Sequence, residues 1–182
     1  RKYGVLKFIG HLDVMRYFQK AIRRADIDIC YSEGYSPHMI MSFASPLGLG
    51  LESDGEYMDI RINGSISSKE AVRRLNAVMV EGIDVMSFRE LPENSKNAMA
   101  SVAAADYEVR FREGCAPEDG WKEQFTEFLA QPEMRIVKET KKGQQEIDIR
   151  PWIYSWEIVD DMIKMQVSAG SVHNLKPEMV LK

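Results

Sequence analysis

The segment GHLDVMRYFQKAIRRAD, residues 10–26, decides how the first half of this chain is read. Val14, Phe18, Ala21, Ile22 and Ala25 recur at helical spacing and form one apolar stripe. Arg16, Lys20, Arg23 and Arg24 fall on the opposite side, so the helix is amphipathic with a cationic outer face. Asp13 stands where an N-cap or first-turn acid belongs.

Working outward, GVLKFIGHL before the helix alternates Leu6 and Phe8 against Val5, Lys7 and Ile9, and reads as a strand. After it come a short extended stretch at 27–31, a loop over 32–38 and a second extended run at 39–43. GEYMDIRI alternates Met58, Ile60 and Ile62 with Tyr57, Asp59 and Arg61, the clearest strand in the chain. Ser67 followed by Glu70 matches a capping box, and the helix behind it buries Ala71, Leu75, Val78 and Met79 while exposing Arg73 and Arg74. GIDVMSFREL reads as a further strand. This order is βαββαβ, so residues 1–91 are expected to form a ferredoxin-like domain of the α+β class.

Residues 92–105, PENSKNAMASVAAA, lack strand periodicity and read as a linker. Residues 106–182 are expected to form a second, degenerate ferredoxin-like or related α+β domain. Its first strand alternates Tyr107, Val109 and Phe111. Pro117 suits the first turn of a helix whose stripe is Trp121, Phe125, Phe128 and Leu129. MRIVKET and QQEIDIR flank the turn residues Lys142 and Gly143, and SWEIV and MIKMQVSA flank Asp160 and Asp161 as a hairpin. A last helix begins near Pro177. Arg1 in place of an initiator Met, and a final NLKPEMVLK inside a helical pattern, read as a piece of a longer protein.

Composition narrows the class. Hydrophobic residues make up 45% and charged residues 29% of 182, the balance of a globular domain. No apolar run approaches the roughly 20 residues that span a bilayer. A start of RKYGVLKF shows no apolar leader region, and two cysteines far apart in sequence favour a reducing, cytoplasmic setting, with no membrane contact expected. The formal charge of −4 argues against indiscriminate nucleic-acid binding and leaves a local basic face open. Cys30 and Cys115 match no disulfide or metal spacing, and no three-cysteine cluster is present to hold an iron–sulfur centre. No phosphate loop, dinucleotide fingerprint or metal motif occurs, so no cofactor or metal is expected.

Three groups of residues remain as candidates. His11 and Asp13 stand at a helix N-terminus, where unpaired N–H groups attract anions and a histidine can hold a phosphate or move a proton. The plainer reading is that both fix the turn. Tyr31, Ser32, Tyr35, Ser36 and His38 put aromatics among donors in one loop bent at Gly34, a composition suited to stacking on a base or to packing on a sheet edge. The row Arg16, Lys20, Arg23 and Arg24 suits phosphates, an acidic partner or plain solvent. Asp148, Arg150 and Trp152 in EIDIRPW form either a second loop site or an ion-pair architecture, and His173 stands alone without a role.

FIGHLDVMRYFQKAIRRADIDICYSEGYSPHMIMSFASPLGLGLESDGEYMDI, residues 8–60, resembles the opening signature of the radical SAM-associated (radical SAM-linked) protein family, a bacterial domain of unknown function. EIDIRPWI and NLKPEMVLK match it more weakly. Gly10 departs from the Ser usual before His-Leu-Asp, which leaves no hydroxyl at that position. The resemblance implies a partner, a cobalamin-binding radical S-adenosylmethionine enzyme encoded nearby or fused. The leading expectation is therefore an accessory domain that holds an anionic ligand such as RNA for that enzyme, through His11, Asp13, Arg16, Lys20, Arg23 and the 31–38 loop. Two alternatives stand beside it. One is a metal-independent RNA-processing enzyme with His11 and His38 as its acid and base. The other is a protein-docking module.

Overall fold

A computed structural model describes residues 1–115, 117–140 and 143–181, with Lys138 and Thr140 described by their backbone alone. The fold is α+β and divides into two compact units, Arg1–Ser101 and Val102–Lys182.

In the first unit the amphipathic stripe folds as read. Helix α1, His11–Arg24, starts at an N-cap Gly10 that offers no side-chain cap, and Asp13 lies in its first turn. Ala21 and Ile22 are wholly buried, with Val14 and Ala25 nearly so. Two three-residue strands follow, β1 (Met41–Phe43) and β2 (Met58–Ile60), paired antiparallel with Ser42 opposite Asp59. Single bridges Ile29–Ile62 and Tyr31–Met39 extend the pairing. Met58, Ile60 and Ile62 pack from the sheet onto Ile22, Ile27, Ile29, Met39 and Leu75, so the side of GEYMDIRI expected to be buried is the side that packs.

Helix α2, Ser68–Asn76, begins at Ser67, whose hydroxyl accepts the Glu70 N–H at 3.2 Å. The Glu70 carboxylate turns to the arginines instead of returning to the cap. It accepts from Arg73 at 2.6 and 2.7 Å and from Arg74 at 2.7 Å. Arg73 is exposed as expected, while Arg74 is half-buried and reaches on to the Asp26 carbonyl at 3.1 Å.

Two expected strands of this unit are absent. Residues Gly4–Phe8 form a 3-10 turn. Gly4 sits at φ +64° and its N–H bonds the Glu52 carboxylate, which also pairs with Lys7, so this stretch turns rather than extends. Extended pairing falls earlier, at Lys2, which exchanges backbone bonds with Ser53 and bridges Ile83. The alternation over 5–9 therefore does not sort inside from outside, and Val5 and Phe8 are both exposed. Beyond Ile83 no ladder forms, because the Asn76 side-chain amide takes both the N–H and the carbonyl of Val85 at 2.8 and 2.9 Å. The six-element βαββαβ order thus appears as two short strands, two long helices and isolated bridges.

The segment read as linker carries structure. Ala98–Ser101 form a short helix, α3, whose Ala98 N–H donates to Asp59 at 2.6 Å, and Ala104 already opens the next strand.

The second unit runs β3 (Ala104–Arg110), α4 (Trp121–Leu129), β4 (Arg135–Thr140), β5 (Gly143–Asp148), β6 (Ile153–Val159), β7 (Met162–Ser168) and α5 (Pro177–Val180). Strands β3, β7 and β6 form one antiparallel sheet in that order, and β4–β5 form a separate hairpin. Extra strands thus stand where a second ferredoxin-like helix would fall. The turn expected at Lys142 lies outside the described residues, and Gly143 opens β5. The Asp160–Asp161 hairpin forms, with Asp160 at φ +55°, a conformation Asp tolerates. Helix α4 starts four residues after Pro117, because Gly120 at φ +87° supplies the N-cap. Its stripe packs as expected, with Leu129 buried in a core of Met134, Ile149, Ile153, Ile163, Met165, Val167, Leu175 and Val180. Gly170, at φ +138°, holds the end of β7 against the start of β3, where an added Cβ would stand 2.5 Å from the Val102 carbonyl oxygen.

Two outcomes are expected. Gly170→Ala should cost about 1–3 kcal/mol through forced left-handed strain and the clash with Val102, read as a lower urea midpoint of the second unit's transition. The arginine pair lowers the Glu70 carboxyl from 4.5 to about 2, mainly through hydrogen bonds from Arg73 and then Arg74. Between those values the unfolded chain binds the extra proton, so this contribution is complete above pH 4.5 and is lost as pH falls toward 2. The melting-temperature gap between wild type and Glu70→Gln should therefore be widest near neutrality and close over that window.

Candidate ligand-binding surface

His11 is the first residue of α1 and half-buried. Its ring meets Phe43 of β1 edge-on, with centroids 5.2 Å apart, and Phe18 meets the same Phe43 ring at 5.6 Å. His11 is thus part of the packing between the first turn and the sheet. Asp13 is exposed and takes Arg16 as its i,i+3 partner at 3.1 Å. That acid lies on the row itself, so the row is less purely cationic than its spacing suggests. Arg24 turns aside to the Val78 carbonyl at 3.4 Å. Lys20 and Arg23 are exposed and make no ion pair or side-chain hydrogen bond among the described residues.

The loop over 31–39 closes on itself. Tyr31 bridges Met39, and the Ser32 N–H donates to the His38 carbonyl at 2.8 Å. The His38 N–H donates to the Ser32 hydroxyl at 3.1 Å, and that hydroxyl also meets His38 Nδ1 at 2.8 Å. Ser32 and His38 are the clasp of this loop. Tyr35 stands at its tip with a relative exposure of 111%, Tyr31 is 46% exposed at its base, and Ser36, next after Tyr35, is exposed. Gly34, at φ +106°, makes the bend before the tip.

No hydrogen bond, ion pair or ring contact among the described residues joins His11, Asp13, Arg16 or Lys20 to residues 31–38. The two histidines have separate partners, Phe43 for one and Ser32 for the other. Shallow depressions of about 510 and 310 Å³ lie in the second unit, the larger lined by Lys122, Glu127 and Asp160 and the smaller along strands β3, β7 and β6.

Arg61 carries no motif in the sequence, yet the fold gives it a place beside the loop. Its N–H donates to the Ile40 carbonyl at 3.1 Å and its carbonyl accepts from Cys30 at 2.7 Å, so it is bonded to the residues flanking the loop on both sides. The side chain is exposed and has no partner among the described residues. The alternation of GEYMDIRI already places it on the outward face, but its position at the loop base depends on pairing distant in sequence.

In the second unit the EIDIRPW motif resolves as a turn. The Asp148 carboxylate accepts the Met134 and Arg150 N–H groups at 2.8 and 3.0 Å, and these bonds hold its carboxyl below the usual range. Arg150 reaches the Ile153 carbonyl, and Trp152 stacks on His173 at 4.7 Å. No group of three or more metal-ligating side chains occurs among the described residues, and none of their helices is long and apolar enough to cross a membrane.

Two compact α+β units, the first carrying a half-free cationic helix and a clasped aromatic loop, define the chain by its architecture. It belongs to DUF2344, a family described as an uncharacterized protein conserved in bacteria, which matches residues 1–177. Neither the curated proteins nor the solved structures gave a match.

The clasp is open to test. Ser32→Ala removes both bonds of that hydroxyl, so amide exchange at His38 should accelerate while the Ile22 and Ile29 amides keep their protection, as followed by hydrogen–deuterium exchange.

Proposed function

We propose that this chain is an accessory binding module that holds an anionic ligand, RNA, for a radical S-adenosylmethionine enzyme encoded beside it or fused to it. The observation that carries the ligand half is on α1. One side of the helix is locked into the core through Ile22 and Ala21, while Lys20 and Arg23 on the other are exposed with no acid partner among the described residues. Arg16 lies one turn before Lys20, and its surface pair with Asp13 is weak enough to exchange for a phosphate. The partner half rests on the resemblance of residues 8–60 to the radical SAM-associated family.

A binding role accords with the separate engagement of His11 and His38. General acid–base work on one phosphate needs two groups within hydrogen-bond reach of the reacting atoms. Here one ring packs on Phe43 and the other is clasped by Ser32.

The expected result is RNA binding that weakens steeply with salt, because each neutralised phosphate releases counterions with a slope of about 0.7 for single strands. Filter binding of the purified chain with a short RNA across a salt series reads it directly. Arg16→Ala/Lys20→Ala should lower the slope by roughly 1.4, two phosphate contacts' worth. Absence of salt-sensitive binding, with the double variant indistinguishable from wild type, sinks the ligand half. Co-purification with the radical enzyme that persists after RNA digestion would favour docking to protein instead.

A further inference from the structure

We propose that the 31–39 loop and Arg61 form a stacking site for one unpaired base of a single-stranded nucleic acid. The proposal rests on the RNA-binding reading above and specifies which form of the polymer is recognised.

Tyr35 is the starting point. Its side chain is fully exposed and has no ring or hydrogen-bond partner among the described residues, so nothing in the fold requires an aromatic there. The loop beneath it is nevertheless held firmly. The Tyr31–Met39 bridge, the Ser32–His38 backbone bond and the two bonds of the Ser32 hydroxyl fix both stems. A ring carried on a fixed loop loses less freedom on binding than one on a loose tip. An aromatic face open on both sides accepts any base, but only a base that is not already stacked in a duplex can reach it. Tyr31, half-exposed at the base of the same loop, offers a second surface.

Arg61 supplies the charge. Its backbone is bonded between Cys30 and Ile40, the residues on either side of the loop, and its guanidinium is exposed and unpaired among the described residues. The acids of this region are Glu33, exposed within the loop, Asp28, which already accepts from the Asn63 amide at 2.9 Å, and Asp59, on the same strand face as Arg61, which already accepts the Ala98 N–H at 2.6 Å. Arg61 thus takes the phosphate next to the stacked base, as a contact that positions the strand without reading sequence.

The test is fluorescence anisotropy with the full chain and three labelled probes of equal phosphate count: a single-stranded RNA, a single-stranded DNA, and a blunt-ended RNA duplex whose bases are all paired. Tyr35→Ala should weaken binding of both single strands about 5- to 150-fold, the range for losing one stacked base, and leave the duplex unchanged. Tyr35→Phe should restore it. Arg61→Ala should lower the single-strand salt slope by about 0.7. Because the Tyr35 ring packs on nothing among the described residues, its variants should melt with wild type, which separates a binding effect from a folding one.

Equal affinity of wild type and Tyr35→Ala for single strands, while Arg16→Ala/Lys20→Ala still weakens them, overturns the stacking site and leaves the RNA-binding reading standing. Failure of wild type to bind any probe at low salt overturns both.

Discussion

Three backbone hydrogen bonds closing a ring hold the first unit together at its most consequential point. Cys30 donates to Arg61, Arg61 to Ile40, and Ile40 back to Cys30, at 2.7, 3.1 and 2.9 Å. Each participant follows or precedes a core residue: Ile29, Met39, Ile60 and Ile62 lie beside the three, all in the cluster that receives Ile22 and Leu75. Backbone groups packed against a core need partners, and in a unit whose regular strands are three residues long this ring supplies three of those bonds beyond the β1–β2 pairing. It also sets the stems of the 31–39 loop at a fixed separation, so the apolar burial that seats α1 presents the tyrosine tip as well.

The parts of the fold visible in sequence are those governed by local periodicity. The α1 stripe, the Ser67 cap and the alternation of Met58, Ile60 and Ile62 need only neighbouring residues, as does the Asp160 hairpin. The departures are equally physical. Val5–Lys7–Ile9 against Leu6–Phe8 has the period of a strand, but a strand exists only where a partner edge lies, and here that edge is at Lys2 through Ser53 and Ile83. Val85 has the neighbours of a strand residue, and nothing near it announces that the Asn76 amide, nine residues back, takes both its polar groups. Pro117 has the chemistry of a helix start, and Gly120 places the N-cap three residues later.

The candidate site is legible in composition and illegible in allocation. Tyr31, Ser32, Tyr35, Ser36 and His38 are the right types for a ligand loop, and composition alone treats every donor as free. The structure divides the labour: Ser32 and His38 satisfy one another, and the aromatic between them is left outward. A Ser and a His flanking a Gly-bent tip by equal steps is the available hint, since such a pair can close a loop as readily as it can hold a ligand. On α1 the same division holds. Asp13 and the Val78 carbonyl take Arg16 and Arg24, leaving Lys20 and Arg23.

This allocation bears on what kind of activity the surface suits. A catalytic histidine needs one ring nitrogen free at the reacting atom and the other oriented by a partner. His38 has a partner on Nδ1, yet its ring is exposed on a loop and no second titrating group meets it among the described contacts. His11 makes a T-shaped contact with Phe43, which supplies no hydrogen bond to choose its tautomer. The two rings therefore differ in what holds them, Ser32 for His38 and Phe43 for His11. On the proposed binding reading, exposed cations on a helix and an aromatic on a clasped loop would act by contacts that add up along a flexible polymer. Such binding tolerates an open surface without a pocket, because each phosphate or base is held singly and the summed contacts set the affinity. On that reading, an open surface suits a module that holds a strand while another protein acts on it, since a closed cavity would hide the atoms to be modified.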